Sequence, residues 1–284
     1  MHSGQLKTAN SPQQLRRKHV VVVFPAAAAC SASSVASRVV TVDIAPDALE
    51  DARENFRLNG RLIETRHLMR HPDGAWAGYT YEWNAAGTEA TRVRNGKVVN
   101  VDGQDWIYPD EAECLRCHTA VAGVALGPET AQMNRDFTYP QTGRTDNQLV
   151  TYDAVSMFSA PLAGDPSTLP ALVDPMAETA DLDARARAYL HTNCAQCHQP
   201  GGPTPVNLDL RYTTALANTN ACDVAPTSDD LGINMARIIA PGDAARSLLV
   251  ARMDLRDING MPPLGSTVVD ENGVTLVTDW INGL

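Results

Sequence analysis

Two pentapeptides carry the same reactive pattern, "CLRCH" at Cys114 to His118 and "CAQCH" at Cys194 to His198. On one helical turn, two thiols three residues apart project to the same side and can each add to a vinyl group of a haem. The histidine that follows then faces the iron as an axial ligand. Six cysteines and seven histidines scattered through 284 residues would give far fewer than one such match by chance. The sequence therefore predicts two covalently bound haem c groups. Cys114, Cys117, Cys194 and Cys197 are the anchors, and His118 and His198 the iron ligands.

Three other chemistries use paired cysteines. A zinc site could draw on Cys114, Cys117, Cys194 and Cys197, but it gives no role to a histidine placed directly after both pairs. A redox CxxC pair normally follows a strand in a thioredoxin-like unit. Structural disulfides suit an exported protein and again leave the histidines unexplained.

The second motif has a further candidate ligand. Met261 stands in "NGMPPLG", where Pro262 and Pro263 stiffen the loop that would present its thioether. Methionine opposite histidine is the ligand pair that raises the potential of a cytochrome c haem. Core filling is the alternative role, and Met253 is the second candidate. The first motif offers no such clear partner. Met133, Met157 and Met176 are candidates by position along the chain, and His67, His71 and His191 by chemistry.

The elements around the motifs differ. From Gly60 to Tyr108 the pattern alternates like strands, with Tyr79, Tyr81 and Trp83 on one face, Asp73-Gly74 as a turn and Asn95-Gly96 as a two-residue hairpin signal. This predicts a β-meander of about four strands with Trp76, Trp83 and Trp106 in its core. Only "PDEAE" separates the strand-like "DWIY" from Cys114, so no long helix leads into the first motif. The stretch 119–179 is rich in Gly and Pro and weakly periodic, a connector. "DLDARARAYLHTNC" has the helical period, with Leu182, Ala186, Tyr189 and Leu190 on one face and Asp181 or Asp183 at its start. The closing "DENGVTLVTDWINGL" places Val274, Val277, Trp280, Ile281 and Leu284 on one stripe.

Residues 179 to 284 look like a mono-haem cytochrome c domain: a helix into "CAQCH", the Met261 loop, and a closing helix with Trp280. More widely, "RLIETRHLMRHPDGAWAGYTYEWN", "WIYPDEAECLRCH", "YLHTNCAQCHQPGG" and "MPPLGSTVVDENGVTLVTDWI" resemble a family of bacterial dihaem c-type cytochromes of unassigned role. The resemblance spans about Gly60 to Leu284. The fold expected is α+β, with a short antiparallel β-rich N-terminal section, a haem-binding region, and an all-α cytochrome c-like domain. The divisions are 1–57 as an N-terminal segment with an export signal, 58–108 as the β-meander, 109–178 as the first haem region and connector, and 179–284 as the cytochrome c-like domain with the second haem.

Composition narrows the function. The formal net charge is -10, with Lys and Arg at 23 against Asp and Glu at 33, which excludes nucleic acid as the expected partner. Lys7, Arg16, Arg17 and Lys18 all precede the first acid, Asp43. "LRRKHVVVVFPAAAAC" has the layout of an export signal, a basic run before an apolar run before small residues. No apolar run approaches the ~20 residues of a transmembrane helix. A periplasmic or exported protein is expected. Cys30 serves either as a lipid anchor or as a disulfide partner for Cys222.

The expected function is single-electron transfer between redox partner proteins. The alternative is a dihaem peroxidase-like enzyme with an open coordination site at the first haem. A third reading makes the β section a docking surface for a dedicated dehydrogenase. "GGPTP" after His198 lacks the following helix of a dinucleotide loop, so hydride chemistry would belong to that other protein.

Overall fold

The computed structural model describes residues 20–23, 41–42 and 64–284, apart from 87, 102, 128, 159 and 163. Two compact units emerge. One comprises the chain through Arg116 together with Pro262–Asp270, and the other Cys117–Met261 with Glu271–Leu284.

The first unit is built of strands: β1 (Val20–Val23), β2 (Thr41–Val42), β3 (Glu64–Arg70), β4 (Trp76–Trp83), β5 (Ala90–Val93), β6 (Asn95–Val101) and β7 (Gln104–Asp110). The first five form one sheet in the order β2-β1-β3-β4-β5, and β6 and β7 a separate hairpin. The sheet is mixed, because β1 runs parallel to β3 while the other pairs are antiparallel. Val20–Val23, part of the apolar run read as an export signal, contributes this β1 backbone. The rest of that segment and Cys30 lie outside the described residues.

Alternation along β3 and β4 gives the sheet two different faces. The register pairs Arg66 with Thr80 and Leu68 with Gly78 on one face, and Thr65 with Tyr81 and His67 with Tyr79 on the other. The even-numbered face is the covered one: Leu68, Gly78 and Thr80 are buried. The β6–β7 hairpin lies against it, since Arg66 Nη2 donates to the Ile107 carbonyl at 3.1 Å and Trp106 Nε1 to Glu64 Oε2 at 3.0 Å. Tyr108 is the large buried side chain of this core, whereas Trp76, Trp83 and Trp106 are only half-buried. Thr267, from the returning segment, donates to the Asp105 carbonyl at 2.8 Å.

The second unit carries α1's last residue and the remaining helices: α1 (Cys114–Cys117), α2 (Thr130–Met133), α3 (Gln148–Ala154), α4 (Leu182–Cys194), α5 (Leu248–Met253) and α6 (Glu271–Asn282). A third hairpin, β8 (Asp136–Tyr139) with β9 (Arg144–Asn147), stands where the sequence reads as a connector. Asp181 caps α4, its side chain accepting from the Ala184 N–H at 3.0 Å. Leu190 of α4, Ile239 from the loops, and Leu276, Val277, Trp280 and Ile281 of α6 share one apolar core. Trp280 Nε1 ties the two helices by donating to Asp183 Oδ1 at 2.8 Å.

These observations correct the expected fold class. The described residues are β-rich, with three small sheets and 25% helix among them, and residues 179–284 do not form an all-α cytochrome c-like domain. Helical periodicity exists in "DLDARARAYLHTNC" and in the closing stripe, and helices form there. Between them, from Ala195 to Ser247, the chain runs through bends, two 3-10 turns and two isolated parallel bridges. Asn220, Asp223, Leu231 and Met235 adopt left-handed backbone in this interval; its Asn and Asp side chains offer local bonds that compete with a helix, and its Gly and Pro are poor helix formers. The single meander is corrected too. Arg94 carries the chain from one sheet into the other, Asn95 opens β6 rather than turning a hairpin, and the true turn contains Gly103. No helix among the described residues is long and apolar enough to cross a membrane.

Candidate functional site

The first motif is launched by a reciprocal cap. Asp110, the last residue of β7, accepts from the Glu113 N–H at 2.8 Å, and Glu113 Oε2 accepts from the Asp110 N–H at 3.0 Å. This capping box turns a strand directly into the one-turn helix α1 without the longer helix an ordinary motif rides on. Arg92 of β5 grips Glu111 in the same turn through both carboxylate oxygens, with Nη2 to Oε2 at 2.6 Å. That hydrogen bond holds the Glu111 carboxyl below its ordinary value.

Cys114 sits on the covered face of the sheet. A Cβ built on Gly78 would lie 2.3 Å from Cys114 Sγ and 2.4 Å from its Cβ, so only glycine lets the thiol approach β4 here. Burial pushes the Cys114 thiol up.

The histidine of the first motif is held by a strained loop. His118 Nδ1 donates to the Val124 carbonyl at 2.7 Å. A carbonyl only accepts, so this bond places the ring proton on Nδ1 and the lone pair on Nε2, the tautomer that ligates through Nε2. Val124 reaches its place with φ of +65°, a left-handed conformation that a β-branched residue adopts rarely. Its N–H donates to the Thr119 carbonyl at 2.8 Å, closing the loop behind it.

The second motif ends α4. The Cys197 and His198 N–H groups both donate to the Cys194 carbonyl, at 3.1 and 2.9 Å, so the pentapeptide winds as one continuous turn. The chain then folds back sharply at Gly202, where a Cβ would lie 2.0 Å from the Cys197 carbonyl oxygen. Burial pushes the Cys194 thiol up to about 12 and holds the His198 imidazole below its ordinary value, in the neutral form that binds metal. His198 Nδ1 is buried with no hydrogen-bond partner among the described residues.

A polar frame fixes the chain behind His198. The Leu210 N–H donates to the His198 carbonyl at 2.9 Å. The neighbouring Asp209 accepts from Arg211 Nη2 at 2.6 Å and from Thr214 Oγ1 at 2.8 Å. From α4, the buried Arg187 donates to the carbonyls of Tyr212, at 3.2 Å, and Thr214. These bonds tie the helix that carries the motif to the loop that follows it.

The other candidate ligands are placed differently. His67 and His71 lie on the face of the sheet opposite Cys114. His67 packs edge-on against Tyr81 with ring centroids 5.4 Å apart, and His71 Nε2 bonds the Tyr79 hydroxyl at 2.7 Å. His191 uses both nitrogens, Nδ1 accepting from the Tyr212 N–H at 3.2 Å and Nε2 meeting Glu129 Oε2 at 2.7 Å. That bond holds the Glu129 carboxyl below its ordinary value. Met157 and Met176 are 45% and 46% exposed, and Met133 is half-buried at the end of α2. Met253 belongs to the apolar core. Met261 is half-buried, with its N–H on the Arg252 carbonyl at 2.8 Å and its own carbonyl accepting from Arg256 Nη1 at 3.3 Å.

The residues fit haem attachment better than the alternatives. The motif cysteines are thiols, not disulfides. A redox CxxC depends on a depressed thiol, whereas Cys114 and Cys194 are both pushed up. Among the described residues no three His, Cys, Asp or Glu side chains gather to hold a bare metal ion. A haem asks less of the protein, two thiols and one imidazole on a turn. The Cys222 thiol is half-buried, and its pairing with Cys30 lies outside the described residues. The capping box "DEAE" could have been read in the sequence, while the Val124 carbonyl carried no signal because any residue has one. No family model, curated protein or solved structure matches the chain.

Proposed function

We propose that this chain is an exported c-type cytochrome that binds two haems covalently and passes single electrons between redox partner proteins. The observation that carries the reading is the repeated construction of the two sites. Each pentapeptide lies against a glycine where a Cβ would clash, Gly78 at Cys114 and Gly202 at Cys197, and ends in an imidazole suited to iron. Cys114, Cys117, Cys194 and Cys197 anchor, His118 and His198 ligate, and Met261 is the proposed second ligand at the second motif. Haem supplies a reversible one-electron centre. The chain's own work is to orient the two imidazoles.

The test is expression together with haem-maturation factors in an exporting host, followed by mass measurement and a pyridine haemochrome count. Two haems per chain are expected, falling to one in Cys114→Ala/Cys117→Ala and to one in Cys194→Ala/Cys197→Ala. A chain that exports intact and carries no covalent haem would overturn the proposal.

One observation favours a second reading, a dihaem peroxidase-like enzyme with an open position at the first haem. Of the histidines considered for that position, His71 bonds the Tyr79 hydroxyl, His191 is held by Glu129 and the Tyr212 N–H, and His67 lies on the sheet face opposite Cys114. A high-spin haem that binds cyanide in the Cys194→Ala/Cys197→Ala form would support it. Two low-spin haems indifferent to cyanide and peroxide would eliminate it.

A further inference from the structure

The two histidines differ in what holds the far side of the ring. His118 Nδ1 donates to the Val124 carbonyl at 2.7 Å, and the loop that delivers this carbonyl accepts a left-handed valine to do so. His198 Nδ1 is a buried nitrogen that no group among the described residues meets. A hydrogen bond from Nδ1–H raises the basicity of the ring and hence its donation to a metal at Nε2. Stronger donation favours the ferric over the ferrous state and lowers the reduction potential.

Resting on the dihaem reading above, we infer that this asymmetry sets the direction of electron flow: the first motif holds the lower-potential haem and receives the electron, and the second passes it on. With haem held at both motifs, a one-electron donor protein would reduce the group bound by His118, the group bound by His198 would take that electron from it, and a one-electron acceptor protein would remove it from the second. One electron moves at each step, and no bond or proton changes hands. Met261 acts in the same direction, because a thioether ligand raises the potential of the second site. Val124 is on this account a positioning residue. It touches no haem, and it acts through the ring of His118.

The test is a potentiometric titration of the holoprotein, with haem content counted in the same samples. Two one-electron waves are expected. The lower should survive alone in Cys194→Ala/Cys197→Ala, and the higher alone in Cys114→Ala/Cys117→Ala. Val124→Gly keeps the left-handed backbone and should leave both waves in place. Val124→Pro forbids positive φ and removes the N–H bonded to Thr119, so it should raise the lower wave and leave the higher unchanged. Should Val124→Pro fail to fold, proton NMR of the wild-type holoprotein decides: one motif histidine should show a slowly exchanging Nδ1–H, and His118→Ala should remove it. Two haems with coincident waves, or with the lower wave belonging to the second motif, would overturn the inference and leave the dihaem reading intact. Absence of covalent haem would overturn both.

Discussion

His191 and His118 show how neighbours decide what a histidine can do. Both have the chemistry of a ligand, but His191 is spent on Glu129 and on the Tyr212 N–H, whereas the Val124 carbonyl fixes His118 in its ligating tautomer. The acid behind the second motif is similarly defined by contacts. The Arg211 guanidinium beside Asp209, with help from Thr214, holds its carboxyl at about 2 against an ordinary 3.8. A lowered folded value means stability that is present above about pH 4 and is lost as pH falls through about 2. At 1.36 kcal/mol per pKa unit, the loss amounts to about 2 kcal/mol. Urea unfolding at pH 5 and at pH 2 should therefore show wild type losing about 2 kcal/mol more than Asp209→Asn. Equal losses in the two proteins would mean that the Arg211 contact does not persist in solution.

At the scale of elements, periodicity was readable and tertiary assignment was not. Helices form in "DLDARARAYLHTNC" and "VTLVTDWI", but only α6 buries a single stripe, whereas α4 buries the consecutive run Ala186–Leu190. Extending a helical domain across the interval between them fails, because nothing from Ala195 to Ser247 repeats on one face. The strands were likewise visible as alternation, but alternation does not say which sheet a strand joins. Asn95-Gly96 is a good turn sequence overruled by the pairing of Asn95 with Asp110. The pentapeptides stand out because their pattern is local to five residues, while the glycine beneath the first comes from distant sequence. That glycine is Gly78, thirty-odd residues ahead of the thiol it receives. Gly78→Ala would drive a methyl into Cys114 and lift α1 from β4, an overpacking that costs about 1–3 kcal/mol. Thermal unfolding should fall accordingly, and covalent haem should be lost from the first motif while the second loads normally. Undiminished loading of both motifs would show that α1 can shift without losing the attachment geometry.

The whole molecule contributes a field that no single residue does. With 33 acids against 23 bases the chain is formally at -10, and such a charge raises encounter rates with cations and lowers them with anions. Screening acts over about 30 Å at 0.01 M salt but only about 10 Å at 0.1 M. Electron exchange of the loaded protein with a cationic complex such as hexaammineruthenium should therefore slow as salt rises across that range. Exchange with an anionic complex such as ferrocyanide should quicken. The opposed slopes matter more than either rate, because salt effects on the fold itself would move both reagents the same way. A partner protein selected by this field would present a basic face. If both rates prove indifferent to salt, the acidic surface does no steering and recognition must come from a short-range contact.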